Sequence, residues 1–257
     1  MLPDADDTAV STLVLNQTNR TYSPSSMVSE FATAENFRTY AFESNPSFSA
    51  NCNIILALLS SSSTNKYSSH LNKAIKYLVG SAELGIITDK WNTSENYSRM
   101  LLCRVLYDVL RRHHLERIEG LGDDMINRRI PALMRIMLTK CIAAQSADGS
   151  WDHVLEVTAY SVIAIAHILR LPWSQQVRDH AEKALQHGRQ YLKDNASLWD
   201  KPSRHWVEKV SYGSAVLSEA YCLAGMASLR SESEWTQEVR EIFNAGAVSL
   251  PESCTSS

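Results

Sequence analysis

The 257-residue chain has no apolar run long enough to cross a bilayer and no secretory-type apolar core near its start, which points to a cytoplasmic protein without a transmembrane segment. In that setting the sequon Asn16-Gln17-Thr18 reads as a chance match. Positive charge is not in excess. The formal net charge is -3, the isoelectric point is near 6.2, and no basic stripe interleaved with aromatics occurs, so a nucleic-acid partner is excluded. The five cysteines, Cys52, Cys103, Cys141, Cys222 and Cys254, are odd in number and widely spaced, with no CxxC pair and no Cys/His cluster. They read as reduced residues, mostly of the core, and not as a zinc site. Strand-like runs alternating with helices are also absent, which removes a parallel α/β sheet.

What remains is helical. With 44% hydrophobic residues the chain can bury the core of one domain. Asp7 to Leu15 places Ala9, Val10, Leu13 and Val14 at helical spacing. A second helix is predicted from Pro24 or Ser25 to about Tyr40, with Ser23 as its cap. Further helices are expected over 67–79, 96–114, 152–171, 174–195 and 234–243, roughly ten in all. A domain over 1–246 and a disordered tail over 247–257 complete the expectation.

Chemistry concentrates near the start, in MLPDADDT, where Asp4, Asp6 and Asp7 crowd three carboxylates into four positions before an apolar helical run. Crowding and burial raise a carboxyl pKa, so one acid can stay protonated near neutral pH and donate to a carbon–carbon double bond. Ordinary N-terminal helix charges are the plain alternative. A second alternative uses Asp4, Asp6 and Thr8 as the DxDxT nucleophile loop of a haloacid-dehalogenase-like phosphatase, but that loop should follow a buried strand, and only Met1, Leu2 and Pro3 precede it here. The octet LPDADDTA resembles the DxDD segment of class II terpene cyclases, in particular the fungal diterpene cyclases of the copalyl diphosphate synthase type. The resemblance implies that Asp6 is the general acid and that Asp4 and Asp7 tune it.

Three later stretches resemble the same family in matching order. In SFSANCN, Asn51 matches the Asn that bonds the catalytic acid, with Asn53 as the fallback. In DKWNTSENY, Lys90 matches a contact to the substrate diphosphate, and Trp91 and Tyr97 match the cavity lining. QSADGSW resembles the QW motif, in which Gln145 and Trp151 tie consecutive helices, Asp148-Gly149 turns the chain and Ser150 can cap. A fourth run, His205 to Met226, brings Trp206 and Tyr212 toward the lining, and Tyr160 belongs to the same set. Each of these aromatics also fits a simple core role. Asp123, Asp124 and Asn127 read as a helix start and not as a metal motif, and the His113-His114 pair lacks a third ligand.

The fold implied is all-α, an α/α-barrel-like domain of the class II cyclase β type. The reaction implied is proton-initiated cyclisation of geranylgeranyl diphosphate to a copalyl-type bicyclic diphosphate, with Mg2+ accompanying the diphosphate. In the family the acid motif lies well inside a longer protein, whose N-terminal part often supplies the residue that takes the final proton. The chain is therefore expected to match the middle of a larger enzyme. The competing expectation is a catalytically silent helical domain, or one that needs a partner chain supplying a missing N-terminal half.

Overall fold

The computed structural model describes residues 3–18, 20–62, 64–228 and 235–245, and the predicted tail over 247–257 and Cys254 lie outside them. Ten α-helices are described: α1 Ala5–Gln17, α2 Ser25–Phe31, α3 Phe48–Leu59, α4 Ser68–Glu83, α5 Glu95–Leu115, α6 Ile130–Ala143, α7 Leu155–Ile168, α8 Gln175–Asp194, α9 Ala215–Ala227 and α10 Gln237–Ala245. A two-stranded antiparallel hairpin, β1 Trp206–Val207 with β2 Ser211–Tyr212, is the only sheet among the described residues. The all-α expectation holds with that one exception.

The helices form two layers. Helices α1, α3, α5, α7 and α9 pack successively on one another as an inner row. The even-numbered helices lie outside, α2 on α1, α4 on α3, α6 on α5 and α8 on α7, which is the α/α arrangement. Composition sorts the layers. Helix α3 buries every residue from Phe48 to Leu58, and α7 is nearly as apolar, as a helix enclosed on all sides must be. Outer helix α8 instead buries one stripe, Val177, Ala181, Ala184, Leu185, Gly188 and Leu192.

Helix α1 departs from the simple apolar-face expectation. It buries Ala5, Ala9 and Thr12, while Val10 and Val14 stand exposed, because α1 approaches α3 closely and only small side chains fit between them. Helix α2 also differs, ending at Phe31 and not near Tyr40. The Thr33 side chain bonds the Asn36 backbone, Ala32 bridges Phe37, and this local turn satisfies the backbone in place of a further helical turn. Pro24, not Ser23, occupies the cap position.

The junction of α6 and α7 shows how the layers are joined. Gln145 donates to the Gly149 and Ala184 carbonyls at 3.0 and 2.9 Å, and the fully buried Trp151 indole donates to the Cys141 carbonyl at 2.8 Å. Gly149 sits at φ +89°, with the His187 carbonyl oxygen 2.5 Å from where a Cβ would lie, so the turn requires glycine. Ser150 does not cap a helix. It binds Asp148, and α7 begins only at Leu155, after Asp152 and His153 in the left-handed region. Cys52, Cys103, Cys141 and Cys222 are all buried free thiols, as expected.

Two helical glycines give a test of this packing. In α8, a Cβ on Gly188 would lie 2.7 Å from Val162 and 2.8 Å from Trp151, both in the core, whereas at Gly80 in α4 nothing lies within 4 Å. Glycine-to-alanine in a helix gains up to about 1 kcal/mol, while overpacking a core costs about 1–3 kcal/mol. Gly80→Ala should therefore raise the urea midpoint and Gly188→Ala lower it. Stabilisation by both variants would contradict the tight α7–α8 seam.

Candidate functional site

The site forms where α1 begins against α3. Asp4 is the N-cap of α1, its carboxylate accepting from the Asp7 backbone N–H at 2.7 Å. That bond consumes one of the three clustered acids structurally. Asp7 points outward and is exposed. Asp6, two residues after Asp4 and one before Asp7, turns toward α3, where Asn53 Nδ2 donates to its Oδ1 at 2.8 Å. Burial pushes the Asp6 carboxyl up to about 6, the Asn53 bond opposing this and the charges of Asp89, Asp4 and Asp7 adding to it. Burial also raises Asp4.

Asn51 does not bind the acid. Its amide spans the chain at Phe37, accepting from the Phe37 N–H at 2.9 Å and donating to the Phe37 and Ser47 carbonyls, both at 2.9 Å. Two residues along a helix are about 200° apart, so Asn51 and Asn53 face opposite ways, and only Asn53 reaches α1. Asn51 still matters at one remove. It fixes the segment around Phe37, and the Thr39 carbonyl of that segment accepts the Ala5 N–H at 2.8 Å, anchoring the start of the acid-bearing helix.

Asp89 is a residue the sequence reading passed over. Its carboxylate accepts from the Ser47 and Ser49 hydroxyls, each at 2.8 Å, and from the Ser49 and Trp91 backbone N–H groups, each at 3.2 Å. Four donors hold it in place near Asp6. The adjacent DKW lettering drew attention to Lys90, but Lys90 is not a free cation. It is ion-paired to Glu43 and donates to the Asn45 carbonyl at 2.9 Å, beside the Trp91 ring. Its charge is matched by Glu43 in this structure.

The aromatic residues divide. Tyr97, Tyr160, Trp206 and Tyr221 form one cluster, with Tyr97 5.4 Å from Tyr160 and 5.0 Å from Trp206, and Tyr160 4.8 Å from Tyr221, all edge-to-face. The charge of Asp6 is felt at the Tyr97 and Tyr221 hydroxyls. Burial drives the Tyr221 hydroxyl up to about 12 and that of Tyr97 well above its usual value. Trp91 stands apart with Tyr40, ring centroids 6.2 Å apart, and Tyr212 lies exposed on β2, outside the cluster. Tyr221 was missed because it falls within an apolar helical run.

No group of three His, Cys, Asp or Glu side chains among the described residues could hold a metal ion. Asp123 pairs with Arg117 and Asp124 with Arg128, ahead of the π-helical turn Met125–Arg129 that leads into α6, so this stretch is a helix entry. No helix among the described residues is long and apolar enough to cross a membrane.

Comparisons with known proteins converge. No family model matches the chain. It is 35% identical over 247 residues to the copalyl diphosphate synthase of Talaromyces verruculosus, covering 94% of this chain and 25% of that protein. It is 33% identical over 229 residues to a pimaradiene synthase of Emericella nidulans, and 29% identical over 238 residues to an ent-kaur-16-ene synthase of Fusarium fujikuroi. The chain thus spans about a quarter of the length of these curated relatives. The solved ent-copalyl diphosphate synthase of Streptomyces platensis superposes with a TM-score of 0.68 at 24% identity, over 88% of this chain and 41% of that one, and so shares the fold. The solved structure carries the two-layered helical fold, and the relatives show that the chain belongs to the diterpene cyclase family of the fungal copalyl diphosphate synthase type.

Proposed function

We propose that this chain carries the acid half of a class II diterpene cyclase, in which Asp6 protonates the terminal alkene of geranylgeranyl diphosphate and starts cyclisation toward a copalyl-type bicyclic diphosphate. The observation that supports it most is Asp6 itself: a half-buried carboxyl pushed up to about 6 and braced by Asn53, its charge felt at Tyr97 and Tyr221 of the aromatic cluster. At pH 7 roughly a tenth of such a group is protonated, a useful reserve for a general acid.

The hydrogen-bond pattern supports one position for the proton. The Asn53 N–H occupies Oδ1, and Asp6 makes no other side-chain hydrogen bond among the described residues, so Oδ2 is left to carry the hydrogen. In the protonation step the Oδ2–H bond breaks, the alkene π electrons form a C–H bond, and a tertiary carbocation results while the diphosphate C–O bond stays intact. Internal alkenes then close the rings, and loss of a proton from the resulting bicyclic cation to a base forms the new C=C bond of the product. The aromatic cluster offers ring faces to a cation. Asp4 and Asn51 act by holding the start of α1, and Asp89 acts as a fixed carboxylate near the acid. Mg2+ enters as the companion of the diphosphate, and with no clustered donors among the described residues no step is routed through an ion held by the protein.

Incubation of the purified chain with geranylgeranyl diphosphate and magnesium, followed by dephosphorylation and mass spectrometry, tests the reading. Asp6→Asn should lower turnover by at least about 100-fold. Equal product from this variant would sink the assignment. Because ionising Asp6 in the folded state is unfavourable, stability is fully present below the usual carboxylate range and lost as pH rises through about 6. Asp6→Asn should therefore stabilise the fold at pH 8 by up to about 3 kcal/mol and have little effect at pH 4, as read from urea titrations.

The pH profile gives a second test. Activity should decline about tenfold per unit above pH 6 as the acid empties. Asn53→Ala removes the bond that favours the ionised form and should move this limb to higher pH, whereas Asp89→Asn removes a repelling charge and should move it lower. Shifts in the same direction in both variants would show that another group sets the limb.

A further inference from the structure

Helix α7 carries a carboxylate that the acid chemistry does not use. Glu156 is 1% exposed, one residue into α7, and binds two members of the aromatic cluster, Tyr160 and Trp206. Its Oε1 accepts from the Tyr160 hydroxyl and from the Trp206 indole N–H, the latter at 2.8 Å. Its Oε2 is buried with no hydrogen-bond partner, and no ion pair among the described residues includes it. Burying an unpaired carboxylate is costly, and a hydrophobic side chain would fill the same space more cheaply. Such a group calls for a cationic counterpart.

We infer that Glu156 is a positioning residue that turns the aromatic cluster into a wall for a lipophilic cation. The inference rests on the proposed cyclase reading, in which that cation is the carbocation formed after Asp6 gives up its proton. Two effects follow from the geometry. Donation of the Trp206 N–H and the Tyr160 O–H to a carboxylate fixes both rings and increases their electron density, which strengthens the attraction of their faces for positive charge. A negative charge behind the rings, in surroundings of low polarity, adds to the same field. The wall has an accessible side. Trp206 and Tyr221 are only half-buried, whereas Tyr97 and Tyr160 lie inside.

Binding can test this without turnover. The probes are a prenyl diphosphate analogue whose terminal branched carbon is replaced by a protonated tertiary nitrogen, and its neutral all-carbon counterpart, titrated against the purified chain by calorimetry. The wild-type chain should prefer the ammonium by about tenfold. Glu156→Gln keeps the volume and the acceptor for Trp206 and Tyr160, and should bring the two affinities to near equality while leaving that for the neutral analogue unchanged. A purely structural role would weaken both analogues alike, and that result overturns the inference.

Trp206→Phe provides the second variant, since it removes the donor and leaves a ring. Its loss of ammonium preference should be non-additive with Glu156→Gln, whereas additive losses would show that Glu156 does not act through Trp206. Preference lost in Asp6→Asn but kept in Glu156→Gln would make Asp6 the anion that is sensed and would likewise overturn the inference. Failure of the cyclase reading shows separately, as absence of Asp6-dependent product, and the affinity ratio is read without that assay. If both hold, Glu156→Gln should also lower kcat more than tenfold with KM within about threefold.

Discussion

The close seating of α1 on α3 is the constraint from which the site follows. Ala5 and Ala9 are fully buried, and because neither has a side chain beyond Cβ the two helices approach until Asn53 on one meets Asp6 on the other. Larger residues at those two positions would lift α1 away, return the carboxyl to water, and restore an ordinary acidity. The contact that packs the helices is thus also the one that sets the chemistry. The start of α1 is fixed from outside by the Ala5 bond to Thr39, and that segment is held in turn by Asn51. Neighbouring residues of one helix, Asn51 and Asn53, therefore secure the same acid from opposite sides.

Four carboxylates share this region, and they are distinguished by what binds them. Asp4 is committed to the backbone as a cap, Asp7 to solvent, and Asp89 to four N–H and O–H donors. Asp6 receives a single amide hydrogen bond, and its second oxygen is left over. A desolvated carboxyl with a lone donor is poorly stabilised as an anion, which is the position of Asp6. The division of labour follows from hydrogen-bond supply.

Much of this was legible in the sequence, and the limits are specific. Helical periodicity and the Gln145 to Trp151 junction carried the fold, since both are local signals. The acid cluster carried the candidate Asp6. The choice between Asn51 and Asn53 was not local, because it depends on which face of α3 meets α1, and α1 itself buries Ala and Thr in place of its valines. Lys90 is a similar case: its lettering suits an anion contact, but its partner Glu43 lies 47 positions away in the chain. The early end of α2 turned on side-chain bonds between Thr33 and Asn36 that periodicity does not weigh. Glu156 left the faintest trace, a single acid in the first turn of an apolar helix, where the helix dipole offers an adequate reason for it.

Asp6 and Glu156 are both carboxyl groups with one oxygen engaged and no cationic partner among the described residues. They differ in their place in the proposed reaction. Asp6 is desolvated toward neutral acidity and can hand a proton on from its unengaged oxygen. Glu156 holds two donors on one oxygen, and positive charge arriving at the rings it binds would pair with it. A reaction that moves a proton off the first carboxyl and leaves a cation near the second would exchange one unfavourable burial for a favourable pairing. Ground-state strain of this kind lowers a barrier only if it is released as charge develops.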